Sequence, residues 1–114
     1  MGLISGIVEL IKQAISWIKK VFQFVINGIF NFLAHCVNWF KSLRLDKRKH
    51  IPFVGKANEF KEMLGQAPVK DYGIFQGVFD QETEEIVANQ FIEADDIDAT
   101  TRETLGNEDL VVLT

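Results

Sequence analysis

The most constraining feature of this sequence is a run of apolar residues spaced alternately four and three positions apart across residues 4–43. An average spacing of 3.5 places them on one stripe of an α-helix, as in helices that pack along a continuous seam. A strand, with its period of two, does not keep this spacing. The pattern predicts a long helix whose seam contacts neighbouring chains. The seam residues are Ile4, Val8, Ile11, Ile15, Ile18, Phe22, Val25, Ile29, Phe32, Cys36, Trp39 and Leu43.

Residues 21–40 contain no Asp, Glu, Lys or Arg. A helix of this length spans roughly 30 Å, about the hydrocarbon thickness of a bilayer. Basic residues flank it on both sides, and Trp39 lies near one end, as interfacial anchors do. The sequence therefore predicts a transmembrane helix with its C-terminal side in the cytoplasm. The residues predicted to contact anionic lipid headgroups are Lys12, Lys19, Lys20, Lys41, Arg44, Lys47, Arg48 and Lys49.

A stripe of uncharged polar residues interrupts this apolar segment at intervals of four, four, four and three. Unpaired polar groups in hydrocarbon cost several kcal/mol, so the stripe favours association that pairs or hydrates them. Two interpretations remain open: a water-filled pore lined by the stripe, or a dry helix pair bonded across it. The stripe consists of Gln23, Asn27, Asn31, His35 and Asn38.

Asn27-Gly28 leaves open a break in the helix, because glycine in a helix interior costs about 1 kcal/mol and Asn-Gly favours turns. A helical hairpin of residues 3–26 and 29–45 could bury both apolar faces within a soluble oligomer. One continuous helix and a hairpin are therefore both compatible with the sequence.

Charge divides the chain into two unlike halves. Residues 1–50 hold eight basic and two acidic residues, a balance of +6, whereas residues 51–114 hold four basic and fourteen acidic residues, a balance of −10. In the acidic half we expect a short helix over 56–64, a β-hairpin of 72–80 and 86–94, a short helix over 98–105 and a β-type run at 110–114. The predicted divisions are a helical segment at 1–45, a basic boundary and linker at 46–71, and a ββαβ-like acidic appendage at 72–114.

The sequence offers no combination of residues that indicates catalysis. His35 and His50 lie on opposite sides of the predicted membrane boundary, and Cys36 occupies a seam position. The carboxylates of Asp95, Asp96 and Asp98 lack the spacing of a calcium loop. We therefore expect no enzymatic activity, no metal and no cofactor.

The sequence thus predicts a mainly α-helical protein with a small α+β C-terminal part. Its predicted function is oligomerisation through the N-terminal helix to form a pore or remodel a membrane. The acidic half is predicted to restrain or trigger this assembly, or to recruit a partner. The alternative is a soluble helical homo-oligomeric scaffold whose C-terminal part binds a partner. Expected partners are anionic lipids, other copies of the chain and a regulatory protein bound through residues 51–114, but not nucleic acid, because the basic run lacks interleaved aromatic residues.

Overall fold

A five-stranded sheet with helices on both faces forms the centre of the protein in the computed structural model. The structure describes residues 2–56 and 70–113, with side chains described from residue 6. In chain order the elements are α1 (Gly2–Ile15), β1 (Gln23–Phe30), a π-helical turn (Phe32–Val37) continuing into α2 (Asn38–Ser42), β2 (His50–Lys56), β3 (Tyr72–Asp80), β4 (Glu85–Ile97), α3 (Ala99–Leu105) and β5 (Leu110–Val112).

The strands lie in the order β1-β4-β3-β2-β5. Neighbouring strands are antiparallel except β1, which runs parallel to β4 and pairs Gln23 with Phe91 and Ile26 with Ala94. The two partners are far apart in the sequence, because β2, β3 and two helical segments lie between them. β1 and β5 therefore form the two edges of the sheet.

The hairpin of β3 and β4 is closed by a turn that Asp80 organises. Its carboxylate Oδ1 accepts main-chain N–H groups from Glu82 at 2.8 Å and Thr83 at 3.2 Å. Burial by itself would raise the pKa of Asp80, but these two hydrogen bonds and the nearby Lys49 and His50 lower it below its ordinary value. The turn is therefore stabilised by the ionised carboxylate.

One face of the sheet is covered by α1. Ile11 and Ile15 of α1 pack against four buried phenylalanines on this face of the sheet: Phe53, Phe75, Phe79 and Phe91. Gly77 makes room for this layer, because a Cβ there would lie 2.7 Å from Cζ of Phe53. The same Cβ would lie 2.8 Å from the carbonyl oxygen of Ala88, so glycine is required for this close approach.

The other face is covered by the π-helical turn, α2 and α3. Cys36, Phe40 and Leu105 from these segments pack against sheet residues that point to the same side. Those sheet residues are Val54, Ile74, Val78, Ile92 and Ala94. The protein thus has three layers, with the sheet in the middle.

The predicted long helix is wrong. Helix α1 ends at Ile15, and residues 23–30 form a strand rather than a continuation of the helix. Residues 21–30 are rich in β-branched and aromatic side chains, which favour strands, and the long-range pairing with β4 satisfies their main chain. The mainly α fold class, the heptad repeat, the hairpin of 3–26 and 29–45 and the helical scaffold are all corrected by this finding.

The predicted transmembrane helix is also wrong. Within residues 2–56 and 70–113, no helix combines the length and the apolar character that crossing a bilayer requires. The apolar run at 21–40 is divided among β1, the π-helical turn and α2. The pore-forming or membrane-remodelling function and the membrane localisation that depended on this helix are corrected with it.

The local predictions for the C-terminal part are confirmed where the structure describes them. The hairpin predicted at 72–80 and 86–94 is β3 and β4, which pair from Tyr72 with Ala94 to Asp80 with Glu85. The helix expected over 98–105 is α3, capped by Asp98, and the terminal run contains β5. Lys56 ends β2, and the rest of the helix predicted at 56–64 falls outside the described residues.

Candidate interaction surface at the first strand

The free edge of β1 is an unusual surface for a natural sheet. One side of this strand pairs with β4, and no strand of the described chain pairs with its other side. Edge strands of natural proteins are usually blunted by charges, proline, bulges or short length, which prevent pairing with another chain. β1 is eight residues long, contains neither a charged residue nor a proline, and is regular from Gln23 to Ile26. Within the described part of the chain, residues 23–26 of this edge are therefore open to main-chain pairing.

Large apolar side chains are exposed along and beside this edge. Ile29 is 57% exposed, and Phe24 and Val25 are each about half exposed on β1 itself. Exposed neighbours extend the surface at both ends of the strand and onto the start of β4: Trp17, Phe22, Leu33 and Val87. We call this set of seven residues the β1 patch. Groups of exposed apolar and aromatic side chains around one edge are typical of interaction sites.

The side chains of β1 alternate between the two faces of the sheet. Phe24 lies beside Ile92, which belongs to the layer under α2, whereas Val25 lies beside Glu93 on the α1 side. Main-chain groups alternate as well. The carbonyl oxygen of Phe22 accepts from Phe91 N–H at 2.8 Å, so Phe22 is directed to β4. By alternation Gln23 and Val25 direct their N–H and C=O groups to the free edge.

Asn89 anchors the chain that enters β1. Its Oδ1 accepts the N–H of Phe22 at 3.2 Å, and its Nδ2 donates to the carbonyl oxygen of Lys20 at 3.1 Å. The side-chain amide therefore makes hydrogen bonds that a neighbouring main chain would otherwise make. It satisfies two main-chain groups of the segment that connects α1 to β1. Asn89 is 9% exposed, so water is a poor substitute for either bond.

A second anchor lies under the strand, at the buried carboxylate of Glu93. Gln23 Nε2 donates to Glu93 Oε2 at 2.5 Å, and Lys70 N–H donates to Oε1 at 3.0 Å. Burying a carboxylate is costly unless hydrogen bonds satisfy its oxygens. These contacts therefore hold the start of β1 against β4.

Asp98 fixes the chain where β1 ends. Its N–H donates to the carbonyl oxygen of Phe30 at 3.0 Å, while its carboxylate accepts the N–H of Phe32 at 3.1 Å and that of Thr101 at 3.0 Å. Burial by itself would raise the pKa of Asp98, but the hydroxyl of Thr101 and these N–H groups lower it. The apolar edge is therefore held at both ends.

Asn27-Gly28 forms a bulge in the strand rather than a turn between helices. β1 advances three residues from Ile26 to Ile29 while β4 advances two, from Ala94 to Asp96. Gly28 has a φ of +147°, which L side chains rarely adopt. A Cβ at this position would meet nothing within 4 Å. The backbone conformation, rather than a lack of space, therefore requires glycine.

The polar stripe predicted from the sequence is distributed over three kinds of structure. Gln23 bonds Glu93, Asn27 lies in the bulge, and Asn31 caps the π-helical turn by accepting Ala34 N–H at 2.9 Å. His35 Nδ1 accepts Asn31 N–H at 2.9 Å, and Asn38 begins α2. The stripe therefore does not share one helical face.

The predicted seam divides into buried and exposed parts. Ile11 and Ile15 are buried between α1 and the sheet. Phe22, Val25 and Ile29 are exposed in the β1 patch, where contact with another chain stays a prediction. The remaining described members are partly buried around the two core layers, apart from buried Cys36: Val8, Ile18, Phe32, Trp39 and Leu43.

The predicted headgroup-binding residues lie in separate places. Lys12 is 3.8 Å from Asp109, and Arg48 Nε is 3.3 Å from Asp46, whose pKa is lowered by the hydrogen bonds from Arg48. Lys19 and Lys20 precede β1, and the Lys20 ammonium lies 4.9 Å from the centre of the Phe22 ring. The others lie in or after α2: Lys41, Arg44, Lys47 and Lys49.

His50 and Cys36, two groups capable of acid, base or nucleophilic chemistry, have structural roles. His50 Nδ1 accepts Asp46 N–H at 2.9 Å, and its Nε2 lies 3.6 Å from Asp80. Cys36 is buried, and desolvation raises the pKa of its thiol to about 12, which leaves it protonated and unreactive. Among the described residues, no group of three potential ligands could hold a metal ion.

The residues that position the patch were missed by the sequence analysis. Asn89 and Glu93 occupy inward positions of β4, where apolar residues would be expected from the alternation around them. Polar residues at such positions are a usable signal, because burial requires that each has a partner.

Comparisons with protein-family models, with curated proteins and with solved structures find no match for this chain.

Proposed function

We propose that this chain is a non-enzymatic interaction module that forms a homodimer by pairing β1 with β1 of a second copy. The observation that carries the proposal is the uncharged, apolar edge of β1, with which no strand in residues 2–56 and 70–113 pairs. Its main chain offers hydrogen-bonding groups at Gln23 and Val25, and the side chains around it are exposed although apolar. The hydrogen bond of His50 and the burial of Cys36 support a role that does not involve catalysis.

A second copy fits this edge because antiparallel pairing of identical strands is self-complementary. A two-fold axis passing beside Phe24 would place Gln23 of each copy opposite Val25 of the other. Both residues direct their main-chain groups outward, so each such pair exchanges two hydrogen bonds. The result is a continuous ten-stranded sheet across the dimer.

The side chains and charges agree with this register. Phe24 would pack against Phe24 of the second copy, and Phe22 would lie opposite Ile26, all on the same face of the sheet. Cross-strand pairs of this kind contribute about 0.2–1 kcal/mol each. The strand carries no charge, and Lys19 and Lys20 of the two copies would lie at opposite ends of the pairing. Like charges are thus kept apart.

The experiment is sedimentation equilibrium of the full chain over a wide concentration range. We expect a monomer–dimer equilibrium in the wild type and a monomer for Phe24→Lys, which brings two ammonium groups together at the axis. Leu10→Lys is the matched control, because Leu10 is 38% exposed and lies on α1, outside the β1 patch. This control should still dimerise.

Main-chain pairing is tested separately by Val25→Pro. The N–H of Val25 is directed away from β4, so proline removes no hydrogen bond of the monomer and is tolerated at an edge. We expect a folded monomer for Val25→Pro and a dimer for Val25→Thr, which keeps the N–H. A wild type that is monomeric at every concentration, or a Val25→Pro variant that dimerises normally, would contradict the proposal.

A further inference from the structure

An apolar cavity of about 630 Å³ lies near the opposite edge of the sheet from β1. Its walls come from α2, the following loop, the start of β2 and the residue after β5: Phe40, Leu45, Ile51, Pro52 and Leu113. Pockets for small molecules are typically about 300–1,000 Å³, mainly apolar, with a few polar groups. The cavity therefore has the size and the lining of a ligand site.

The cavity exists because the layer that covers this face is incomplete. Helix α2 ends at Ser42, after five residues, and the chain then turns through Arg44, which has a positive φ of 52°. The start of β2 is consequently only half covered: Pro52 is partly exposed, whereas Val54, two residues further along the strand on the same face, is fully buried. Leu45 and Leu113, which pack at the margin of the layer under α2, are also only partly buried. Part of their apolar surface therefore faces the cavity, whereas the side chain of Ile51 packs on the α1 side of the sheet.

The rim of the cavity is positively charged. Lys41 and Lys47 both line it and are exposed, and neither has a hydrogen bond or ion pair with any described residue. No carboxylate lines the cavity among those residues. The nearby carboxylates are already engaged, Asp46 with Arg48 and Asp80 with His50. An anion at the rim would therefore meet two free ammonium groups.

Both ring nitrogens of His50 are already engaged away from the lysines. Its Nδ1 accepts the N–H of Asp46 at 2.9 Å, and its Nε2 lies 3.6 Å from Asp80. The free ammonium groups at the rim are therefore those of Lys41 and Lys47.

We propose that this cavity binds a medium-chain aliphatic carboxylate, with its hydrocarbon tail between Leu45, Pro52 and Leu113 and its carboxylate beside Lys41 and Lys47. The apolar walls select the tail, and the two free ammonium groups select the anionic head. An alkyl ammonium of the same length would place like charges together at the rim. This site is independent of dimerisation, because β1 and the cavity lie at opposite edges of the sheet.

The test is a titration of the full chain with hexanoate, octanoate and decanoate, followed by calorimetry and by amide chemical shifts. Burying one methylene contributes about 0.8 kcal/mol, so the Kd should fall roughly fourfold for each added methylene until the tail fills the cavity. The largest shifts should come from the amides of Leu45, Ile51 and Leu113. Octan-1-ol should bind more weakly than octanoate, and octylammonium should not bind at these residues.

The matched variants are Lys41→Ala/Lys47→Ala and Lys19→Ala/Lys20→Ala, which change the net charge equally. Each exposed ion pair is worth about 0.2–1 kcal/mol, so the first variant should weaken octanoate binding by roughly two- to thirtyfold. The second should leave it unchanged. Absence of saturable binding at millimolar octanoate, equal affinity for octanoate and octan-1-ol, or loss of binding in the Lys19/Lys20 variant would each overturn the proposal.

Discussion

Asn89→Ala should loosen the whole β1 edge, because this one side chain anchors the chain that enters the strand. The substitution removes the bonds to Phe22 N–H and Lys20 C=O, each worth about 1 kcal/mol net, and leaves both main-chain groups with poor access to water. We expect the free energy of unfolding to fall by about 2–3 kcal/mol. The measurement is urea unfolding followed by circular dichroism.

Local loosening is measured by hydrogen exchange at Phe91, whose N–H donates to Phe22 C=O. Loss of about 2–3 kcal/mol corresponds to exchange roughly 30- to 150-fold faster. The control is Val87→Ala on the same strand, where the side chain is 52% exposed; we expect a change within about 0.5 kcal/mol. If Asn89→Ala changes stability by no more than Val87→Ala and leaves Phe91 exchange unaltered, Asn89 does not anchor β1.

Three further predictions concern the core and the pH response. Gly77→Ala should destabilise the fold by about 1–3 kcal/mol in urea unfolding, because its Cβ would lie 2.7 Å from the Phe53 ring and 2.8 Å from the Ala88 carbonyl oxygen. The folded state lowers the pKa of Asp98. The stability that ionised Asp98 contributes is therefore complete above about pH 3.9, the pKa in the unfolded chain, and is lost as the pH falls through the pKa in the folded protein. Asp98→Asn should consequently flatten the acid side of a stability–pH profile. Cys36 should resist a thiol reagent in the native protein and react once the protein is unfolded in urea.

The C-terminal hairpin was predictable because its signals are local. Residues 72–80 and 86–94 are apolar, β-favouring segments separated by a polar turn, and Asp80 closes that turn with its own side chain. Helix α3 was predictable for a similar reason, since Asp98 caps it and Gly106 follows it. Neither assignment depends on contacts with distant parts of the chain.

The first strand was not predictable from the same kind of reasoning. Phe22, Val25 and Ile29 continue the spacing of α1, so periodicity alone assigns them to one helix. The deciding interactions are long-range. They are the parallel pairing of β1 with β4 and the hydrogen bonds that Asn89 and Glu93 of β4 accept from Phe22 and Gln23. The length of the uncharged run at 21–40 also led to a wrong prediction. Twenty uncharged residues can form an exposed edge strand and two short helical turns as readily as one membrane-spanning helix.

The candidate surface was therefore predictable only in part. The sequence identified apolar residues at 22, 25 and 29 as contacts with another chain, and the structure exposes them, but on a strand instead of a helix. The free main-chain edge could not be inferred, because it depends on which strand pairs with β1 and which side is left unpaired. The cavity beside Leu45 and Pro52 depends likewise on where α2 ends.

The most direct test of the proposed dimer is amide hydrogen exchange along β1 at several protein concentrations. Gln23 and Val25 direct their N–H groups to the free edge, whereas Phe24 directs its own to β4. Protection of Gln23 and Val25 should rise with protein concentration, while that of Phe24 stays constant. Exchange at Gln23 and Val25 that is fast at every concentration, although a dimer is present, would place the interface elsewhere and contradict the proposed pairing of β1 with β1.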